Sequence, residues 1–388
     1  MEKIILLGAS GSIGSQTLEI LSENPSDFEL TGVSVGRRIG ALEKILSSFR
    51  NVRMACVQER EDFLRLREKY PQVEFVYGDR GLLELIDRVP ASLVVNSLVG
   101  FVGFLPSLHC LEKGIDLALA NKESLVVGGD LLKSAKMRTG ANLYAIDSEH
   151  CALAKCLEGK KAEDVRNLVL TASGGSFRDD SPEDLEKVDV RKALSHPSWM
   201  MGKKITIDSA TMMNKGFEVI EAMHLFGFPK EKIKVLLHDE SIIHSMVEFK
   251  DGSFLADIGP TDMKIAISYA LYRNHRHEVR TKPLCLEELT GLHFRRRNPA
   301  LYPCLDLAFR AIDIGGSAPT VLNRSNEEAV YAFLNGEIRF TEIAKVVEKV
   351  LSEHRAKENP NAEDIIDSDK WAKNKSVEWI RRMKECNY

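Results

Sequence analysis

The chain has 388 residues, a formal net charge of -4 and a hydrophobic fraction of 44%. Such a length exceeds what a single compact core usually organises, so it predicts two or three domains. The lack of net positive charge argues against nucleic acid as the main partner, whereas a phosphorylated metabolite needs only a local positive pocket.

Seven cysteines are scattered along the chain without any CxxC pair. This argues against a zinc ribbon or a disulfide framework and indicates reduced thiols in the cytoplasm. Met1-Glu2-Lys3 runs directly into a predicted strand, and no apolar run approaches the roughly 20 residues that cross a bilayer. We therefore expect a soluble cytoplasmic protein without a targeting segment.

The first 147 residues alternate short β-rich runs with helical patterns. The predicted strands are 4–7, 29–35, 54–57, 74–77, 93–96, 116–120 and 143–146, and helical patterns such as 14–21 and 41–49 lie between them. This alternation predicts βαβ units and a parallel sheet, and hence an α/β domain over residues 1–147.

The pattern changes after residue 147. Strands are predicted at 168–171, 204–207 and 234–237, a helix at 210–226, and a hairpin at 245–249 and 254–258. We expect an α+β catalytic domain with an edge hairpin over 148–272. The basic, irregular segment 273–300 is interpreted as a linker, and 301–388 as a C-terminal helical domain.

Glycines at positions 8, 11 and 14 follow the first predicted strand and open a helix. Such glycines allow a tight turn against a pyrophosphate, which the free N–H groups of the helix then bind. The spacing is GxxGxxG rather than GxGxxG, so a plain structural turn is the alternative. In the first βαβ unit, this turn predicts a Rossmann-type nucleotide-binding domain.

The end of the second predicted strand indicates which dinucleotide is bound. An NAD site carries an acidic residue here for the ribose hydroxyl, but this chain has Gly36-Arg37-Arg38. Two guanidinium groups suit a 2′-phosphate, which favours NADP(H). The alternative is a solvated basic loop.

A set of oxygen-bearing side chains points to a metal site. Asp147 and Glu149 are two residues apart at a strand end, where extended geometry would direct both carboxylates the same way. Asn214 and Glu218 share one face of a predicted helix, with Lys215 beside them. Oxygen ligands favour Mg²⁺ or Mn²⁺ over zinc, although ordinary surface carboxylates are the alternative.

Two segments suggest phosphate binding. The run Ser173-Gly174-Gly175-Ser176 follows a strand and offers hydroxyl and backbone donors to an anion. Ser209 is predicted at the start of the helix that carries Lys215, either as a plain N-cap or as a phosphate ligand. Between them, the segment 196–202 contains Trp199 and resembles a lid that excludes water, with burial in the core as the alternative.

The motifs GASGSIGSQTLEI, ANKESLV, DSEH, TASGGSFR, HPSWMMG and ITIDSATMMNKGFEVIEA occur in the order and spacing of one enzyme family. Through them the chain resembles the 1-deoxy-D-xylulose 5-phosphate reductoisomerases of the non-mevalonate isoprenoid pathway. The resemblance implies conversion of 1-deoxy-D-xylulose 5-phosphate to 2-C-methyl-D-erythritol 4-phosphate, with NADPH and Mg²⁺, Mn²⁺ or Co²⁺. It also implies a homodimer, in which the edge hairpin could pair across two copies.

The resemblance assigns roles to residues in each motif. For the cofactor it implies Ser10, Gly11, Ser12, Ile13, Gly36, Arg37, Arg38, Asn121, Glu123 and Gly202. For the metal it implies Asp147, Glu149 and Glu218, with Lys122 and Ser148 reaching the substrate. For the substrate phosphate it implies Ser173, His196, Ser209, Asn214 and Lys215, beneath a lid containing Trp199 and Met201.

One position departs from the family's pattern. Related chains often carry Asn or a small polar residue in place of Arg38, and a second arginine should reinforce the preference for NADP.

Two other functions remain open. The alternatives are an NADP-dependent semialdehyde dehydrogenase, which needs a cysteine nucleophile, and a non-enzymatic NADP(H)-sensing regulator, which needs no divalent ion.

Overall fold

The computed structural model describes residues 1–195 and 201–386. They form two compact units. Unit 1 contains Met1–Ser124, Asp130–Cys151 and Asp262–Thr281, and unit 2 contains Leu125–Gly129, Ala152–Thr261 and Lys282–Tyr388. Within the described residues, we find no helix that combines the length and the apolar character of a membrane span.

The strands, in chain order, are β1 (Glu2–Leu7), β2 (Phe28–Ser34), β3 (Met54–Val57), β4 (Glu74–Tyr77), β5 (Leu93–Asn96), β6 (Asp116–Leu119), β7 (Leu143–Ala145), β8 (Val165–Ala172), β9 (Ile233–His238), β10 (Ile243–Phe249), β11 (Phe254–Ile258) and β12 (Phe294–Arg295).

The first helices are α1 (Ser12–Glu23), α2 (Ile39–Ser48), α3 (Arg60–Lys69), α4 (Gly78–Arg88), α5 (Phe104–Glu112), α6 (Lys122–Thr139), α7 (Ser148–Leu157) and α8 (Pro182–Leu185). They are followed by α9 (Val190–Ala193), α10 (Lys203–Ala210), α11 (Met213–Phe226), α12 (Met263–Leu271), α13 (Pro303–Ile314), α14 (Ala318–Leu334), α15 (Glu342–Glu353) and α16 (Ala362–Cys386).

Unit 1 is built on a parallel sheet with the strand order β4-β3-β2-β1-β5-β6-β7. Its central strands are continuous apolar runs because helices cover both faces of a parallel sheet; residues 4–7 of β1 are fully buried. The order reverses between β1 and β5, which is where doubly wound folds bind nucleotides. The predicted α/β fold class is confirmed.

Unit 2 contains a mixed sheet with the order β11-β10-β8-β9-β12. The predicted hairpin is confirmed, since β10 and β11 pair antiparallel and β11 lies at the sheet edge. Its turn includes Gly252, whose φ of +90° suits glycine. The predicted linker includes β12, which pairs with β9. Helices α13 to α16 pack around a core shared with α10 and α11.

The strand predicted at 204–207 is wrong, because these residues form α10. Its isoleucines and threonine favour a strand by local propensity. In the folded chain, however, Ile207 and Ala210 are three residues apart and both enter the core, while the Thr206 hydroxyl donates to the Gly202 carbonyl. Tertiary packing therefore overrides a weak local preference.

The helix predicted from residue 210 begins only at Met213. Met212 precedes it in the left-handed conformation, with a φ of +56°, and is buried. A non-glycine residue rarely adopts this conformation, so the sequence contains no signal for the break between α10 and α11.

We expect Gly14→Ala to destabilise the protein by roughly 1–3 kcal/mol, because the new methyl group has no room. A Cβ atom there would lie 2.4 Å from the Gly8 carbonyl oxygen and 2.6 Å from the Ala9 Cα. The measurement is the midpoint of thermal unfolding.

Gly40→Ala is the matched control, because a Cβ atom at Gly40 meets nothing within 4 Å and the residue lies in α2. Better helix propensity should leave the stability unchanged or raise it by up to about 1 kcal/mol. Equal unfolding midpoints for the two variants would contradict the close approach inferred at Gly14.

Candidate active site

A glycine turn follows β1 at the reversal of strand order in unit 1. Gly8 has a φ of +82°, and a Cβ atom there would lie 2.6 Å from the Ser97 carbonyl oxygen beyond β5. The Gly8 N–H donates to the Ser34 hydroxyl at 2.9 Å, which ties the turn to β2. A side chain is therefore excluded at Gly8, and the backbone there is open to close approach by a ligand.

The N-terminus of α1 completes this turn. Gly11 occupies the N-cap position, and within the described residues no side chain caps the helix. The first N–H groups of a helix lack intrahelical acceptors and carry partial positive charge, which suits an anion such as a pyrophosphate. Ser10 lies in this turn, and Ser12 and Ile13 are the first two residues of α1.

The basic residues after β2 are exposed. Arg37 forms an ion pair with Glu59, with 2.8 Å between Nε and Oε1 and a side-chain exposure of 81%. Pairs of this kind contribute little and break readily, so the guanidinium can turn to a phosphate. Arg38 stands at the N-cap of α2, and Gly36 is open to solvent.

Asn121 is the N-cap residue of α6, and both its side-chain oxygen and its side-chain nitrogen form hydrogen bonds. Its Oδ1 accepts the Ser124 N–H at 3.0 Å, and its Nδ2 donates to the Leu98 and Gly100 carbonyls at 2.9 Å each. It therefore supports the loop that follows β5. The next residues, Lys122 and Glu123, are also buried.

Asp147 is the centre of a charged cluster in unit 1. Its carboxylate lies 2.9 Å from Lys122 Nζ and 3.5 Å from His150 Nδ1. Burial alone would raise the pKa of Asp147, but the Lys122 ammonium, His150 and hydrogen bonding hold it well below its usual range. The group is therefore an anion at neutral pH.

The extended geometry predicted around residue 148 is wrong, because α7 begins at Ser148. Asp147 directly precedes that helix, and its Oδ1 accepts the Glu149 N–H at 3.2 Å. The Ser148 hydroxyl donates to Glu149 Oε2 at 2.5 Å. Both carboxylates are thus fixed at one helix N-terminus, where negative charge is favourable.

In unit 2, residues 173–176 form the Ser173 turn after β8. Gly174 and Gly175 both have positive φ, and the Gly175 N–H donates to the Ser173 hydroxyl at 3.2 Å. A Cβ atom at Gly175 would lie 2.8 Å from the Ser209 carbonyl oxygen. The structure thus brings together two serine segments that the sequence separately interprets as phosphate-binding.

Ser209 lies in the last turn of α10, not at the start of the next helix as predicted, because Met212 separates the two helices. The prediction that Asn214 and Glu218 share one helix face is confirmed. Asn214 Nδ2 donates to Glu218 Oε1 at 2.5 Å, and Lys215 Nζ donates to Glu218 Oε2. Lys215 and Glu218 are buried, so the pair is fixed within unit 2.

The predicted lid falls partly within the described chain. His196 and Trp199 lie outside the described residues. Met201 is partly buried, and Gly202 is exposed at the N-cap of α10.

Sequence reasoning missed several residues that support these groups. Ser34 and Ser97 contact the Gly8 turn, and Lys204 pairs with buried Asp208 beside Ser209. A lysine four residues before an aspartate is a sequence signal for such a helical pair. The loop contacts, in contrast, join residues far apart in the chain.

Comparison with known proteins places these features in one enzyme family. A family model described as 1-deoxy-D-xylulose 5-phosphate reductoisomerase matches residues 4–129, and models of its C-terminal domains match residues 143–226 and 258–375. Curated relatives with the same description include those of Geobacillus sp. (strain WCH70) and Geobacillus kaustophilus. They are 47% and 49% identical, over 95% of this chain and 97% of each relative.

Solved structures of this description have the same fold. The enzyme from Zymomonas mobilis in complex with NADPH aligns with a TM-score of 0.90 at 36% identity, over 98% of this chain and 99% of the other. A complex with NADPH, fosmidomycin and magnesium aligns with a TM-score of 0.92 at 35% identity, over 99% of both chains.

Proposed function

Since the chain belongs to the 1-deoxy-D-xylulose 5-phosphate reductoisomerase family, we propose how its own residues divide the reaction. The enzyme converts 1-deoxy-D-xylulose 5-phosphate to 2-C-methyl-D-erythritol 4-phosphate with NADPH and a divalent cation. The full-length similarity to these reductoisomerases carries this assignment.

In this proposal most of the NADPH-binding residues belong to unit 1, and Gly202 belongs to unit 2. The Gly8 turn and the uncapped start of α1 bind the pyrophosphate through Ser10, Gly11, Ser12 and Ile13. At the adenosine end, Gly36 has no side chain and leaves space for the cofactor, while Arg37 and Arg38 bind the 2′-phosphate. Asn121, Glu123 and Gly202 complete the proposed cofactor set. The cofactor supplies the hydride for the reduction.

Asp147, Glu149 and Glu218 are the proposed ligands of the divalent cation. All three are carboxylates, the donors that Mg²⁺ and Mn²⁺ prefer, and each is buried or half-buried in its own unit. The charge state of Asp147 fits this role because a ligand must be deprotonated to bind. When bound, the cation acts as a Lewis acid on the oxygens of the substrate.

Lys122 and Ser148 are proposed to contact the reacting part of the substrate. Lys122 places a buried ammonium beside Asp147, where it can stabilise developing negative charge on a substrate oxygen. The skeletal rearrangement, by retro-aldol and aldol steps or by an α-ketol shift, precedes the reduction of the resulting aldehyde.

The substrate phosphate is proposed to bind in unit 2. Ser173 and Ser209 offer hydroxyl groups on adjoining segments, and Lys215 and Asn214 lie in the first turn of α11. Helix N-termini and ammonium groups both favour a phosphate dianion. His196 is a further proposed ligand, with Trp199 and Met201 as the lid.

The two alternative functions are not favoured. A semialdehyde dehydrogenase needs an ionised cysteine, and for three of the seven cysteines burial raises the thiol pKa: to about 12 for Cys56 and Cys304, and upward for Cys110 as well. A regulatory nucleotide sensor has no need of a reductoisomerase fold along its full length.

The cysteines whose side chains are described are free thiols, which supports the expected cytoplasmic location.

Purified protein should oxidise NADPH when 1-deoxy-D-xylulose 5-phosphate is added, and a chelator should abolish the reaction. Absorbance of NADPH measures the rate, and added Mg²⁺ or Mn²⁺ should restore it. Turnover that persists after complete removal of divalent ions would contradict the proposed metal requirement.

Glu218→Gln should lower kcat by roughly 100-fold or more, because a bound metal supplies several kcal/mol of transition-state stabilisation. The fold should remain intact, as judged by thermal unfolding. Glu342→Gln is the matched control, since it changes another buried carboxylate of unit 2. Near-normal turnover of Glu218→Gln would refute the assignment of this metal ligand.

A homodimer is proposed to form through the edge strand β11. Phe254, Leu255 and Ile258 are 53%, 41% and 46% exposed, so an unpaired sheet edge also presents apolar side chains. Exposed apolar edges of this kind are normally covered, and a second copy of the hairpin supplies a self-complementary partner.

Leu255→Lys should therefore shift the protein from dimer to monomer, because the interface would have to bury an unpaired charge. Light scattering after size-exclusion chromatography measures the mass. Leu64→Lys on α3 changes a leucine of similar exposure, 44%, and should leave the mass unchanged. A dimer that survives Leu255→Lys would count against this interface.

A further inference from the structure

The two proposed phosphate-binding segments touch through their backbones. At Gly175, where φ is +67°, a Cβ atom would lie 2.6 Å from the Ala210 Cα and 2.8 Å from the Ser209 carbonyl oxygen. A side chain cannot fit into that gap. The Ser173 turn and the end of α10 are thus in direct contact, and displacement of one segment displaces the serine of the other.

The Ser173 turn is held from the C-terminal part of unit 2. Tyr302 directly precedes α13, and its hydroxyl donates to the Gly174 carbonyl at 2.9 Å. Tyr302 is buried in the core, and that burial raises its pKa to about 12, so the hydroxyl remains a donor at neutral pH. Arg178 Nη1 also donates to the Ser173 carbonyl, at 3.3 Å.

The end of α10 is held from the same part of the chain. Asp208 immediately precedes Ser209, and its buried carboxylate accepts a hydrogen bond from Asn326 Nδ2 of α14 at 2.7 Å. Lys204 Nζ lies 3.0 Å from the other carboxylate oxygen. A buried carboxylate needs its donors, so the loss of Asn326 would disturb the turn of α10 that carries Ser209.

We propose that Tyr302 and Asn326 are positioning residues for the substrate phosphate. Each holds one phosphate-binding segment in place from the C-terminal helical region, without itself acting as a ligand. The inference rests on the proposed function, in which Ser173, Ser209 and Lys215 bind the phosphate. It gives the C-terminal helices a role in substrate affinity.

Tyr302→Phe removes only the hydroxyl, and Asn326→Ala removes the amide donor. Each should raise KM for 1-deoxy-D-xylulose 5-phosphate by about three- to tenfold, because the displaced segment would bind the phosphate less well; this corresponds to roughly 0.7–1.4 kcal/mol of binding free energy. KM for NADPH should not change with Tyr302→Phe, because the Ser173 turn that Tyr302 holds carries none of the residues proposed for the cofactor. Steady-state kinetics with each substrate varied in turn measures this difference.

Ser325→Ala is the matched control on the same helix. Ser325 is buried next to Asn326, but among the described residues its hydroxyl donates to carbonyls of α14 itself, those of Val321 and Leu322. Ser325→Ala should lower the thermal unfolding midpoint without raising KM for the phosphorylated substrate or for NADPH. The proposal is overturned if Tyr302→Phe raises KM for the phosphorylated substrate no more than Ser325→Ala does. Tyr302→Phe decides the matter even if Asn326→Ala fails to fold.

Lys215→Met separates this inference from the proposed function. A large rise in KM for the phosphorylated substrate with Lys215→Met, but none with Tyr302→Phe, would leave the phosphate site standing and overturn the positioning role. An unchanged KM with Lys215→Met would overturn both. A rise in all three variants, with Ser325→Ala unchanged, supports both.

Discussion

A carboxylate can be buried only when a cation or several donors accompany it, and the acidic groups of the candidate site follow this constraint. Lys122 lies beside Asp147 in unit 1, while Lys204 and Lys215 lie beside Asp208 and Glu218 in unit 2. The lysines hold these side chains in place before any ligand arrives, and the Lys122 ammonium also lowers the pKa of Asp147. Such preorganisation is what electrostatic catalysis requires.

Glycines set the second constraint, because they let backbone segments approach more closely than any side chain allows. Gly8 and Gly14 do this around the nucleotide turn, and Gly175 does it between the Ser173 turn and α10. In the proposed function, these turns offer backbone N–H groups and short hydroxyls to anionic ligands, beside a few arginine and lysine side chains. Such local groups can bind a phosphate without a broad basic surface, in keeping with the net charge of -4.

Function in this chain is distributed over distant sequence segments. The C-terminal helices carry none of the residues proposed to contact a ligand, yet Tyr302 and Asn326 hydrogen-bond to segments more than 100 positions earlier. The C-terminal part of unit 2, which provides much of its core, thus also fixes the segments proposed to bind the substrate phosphate. Motif analysis does not detect residues of this kind, because the residues next to them in the sequence form no recognisable functional motif.

The sequence by itself determined the Rossmann-type unit, the glycine turn, the basic residues expected at the 2′-phosphate and the residue types of the proposed metal and phosphate sites. These features follow from hydrophobic periodicity and from local motifs, which act over a few residues. Only the tertiary structure decided that 203–210 is a helix, that Met212 adopts a left-handed conformation, and that Ser209 ends one helix instead of beginning the next. Those outcomes depend on core packing and on hydrogen bonds between residues far apart in the chain, whose energies exceed the local preferences that the sequence displays.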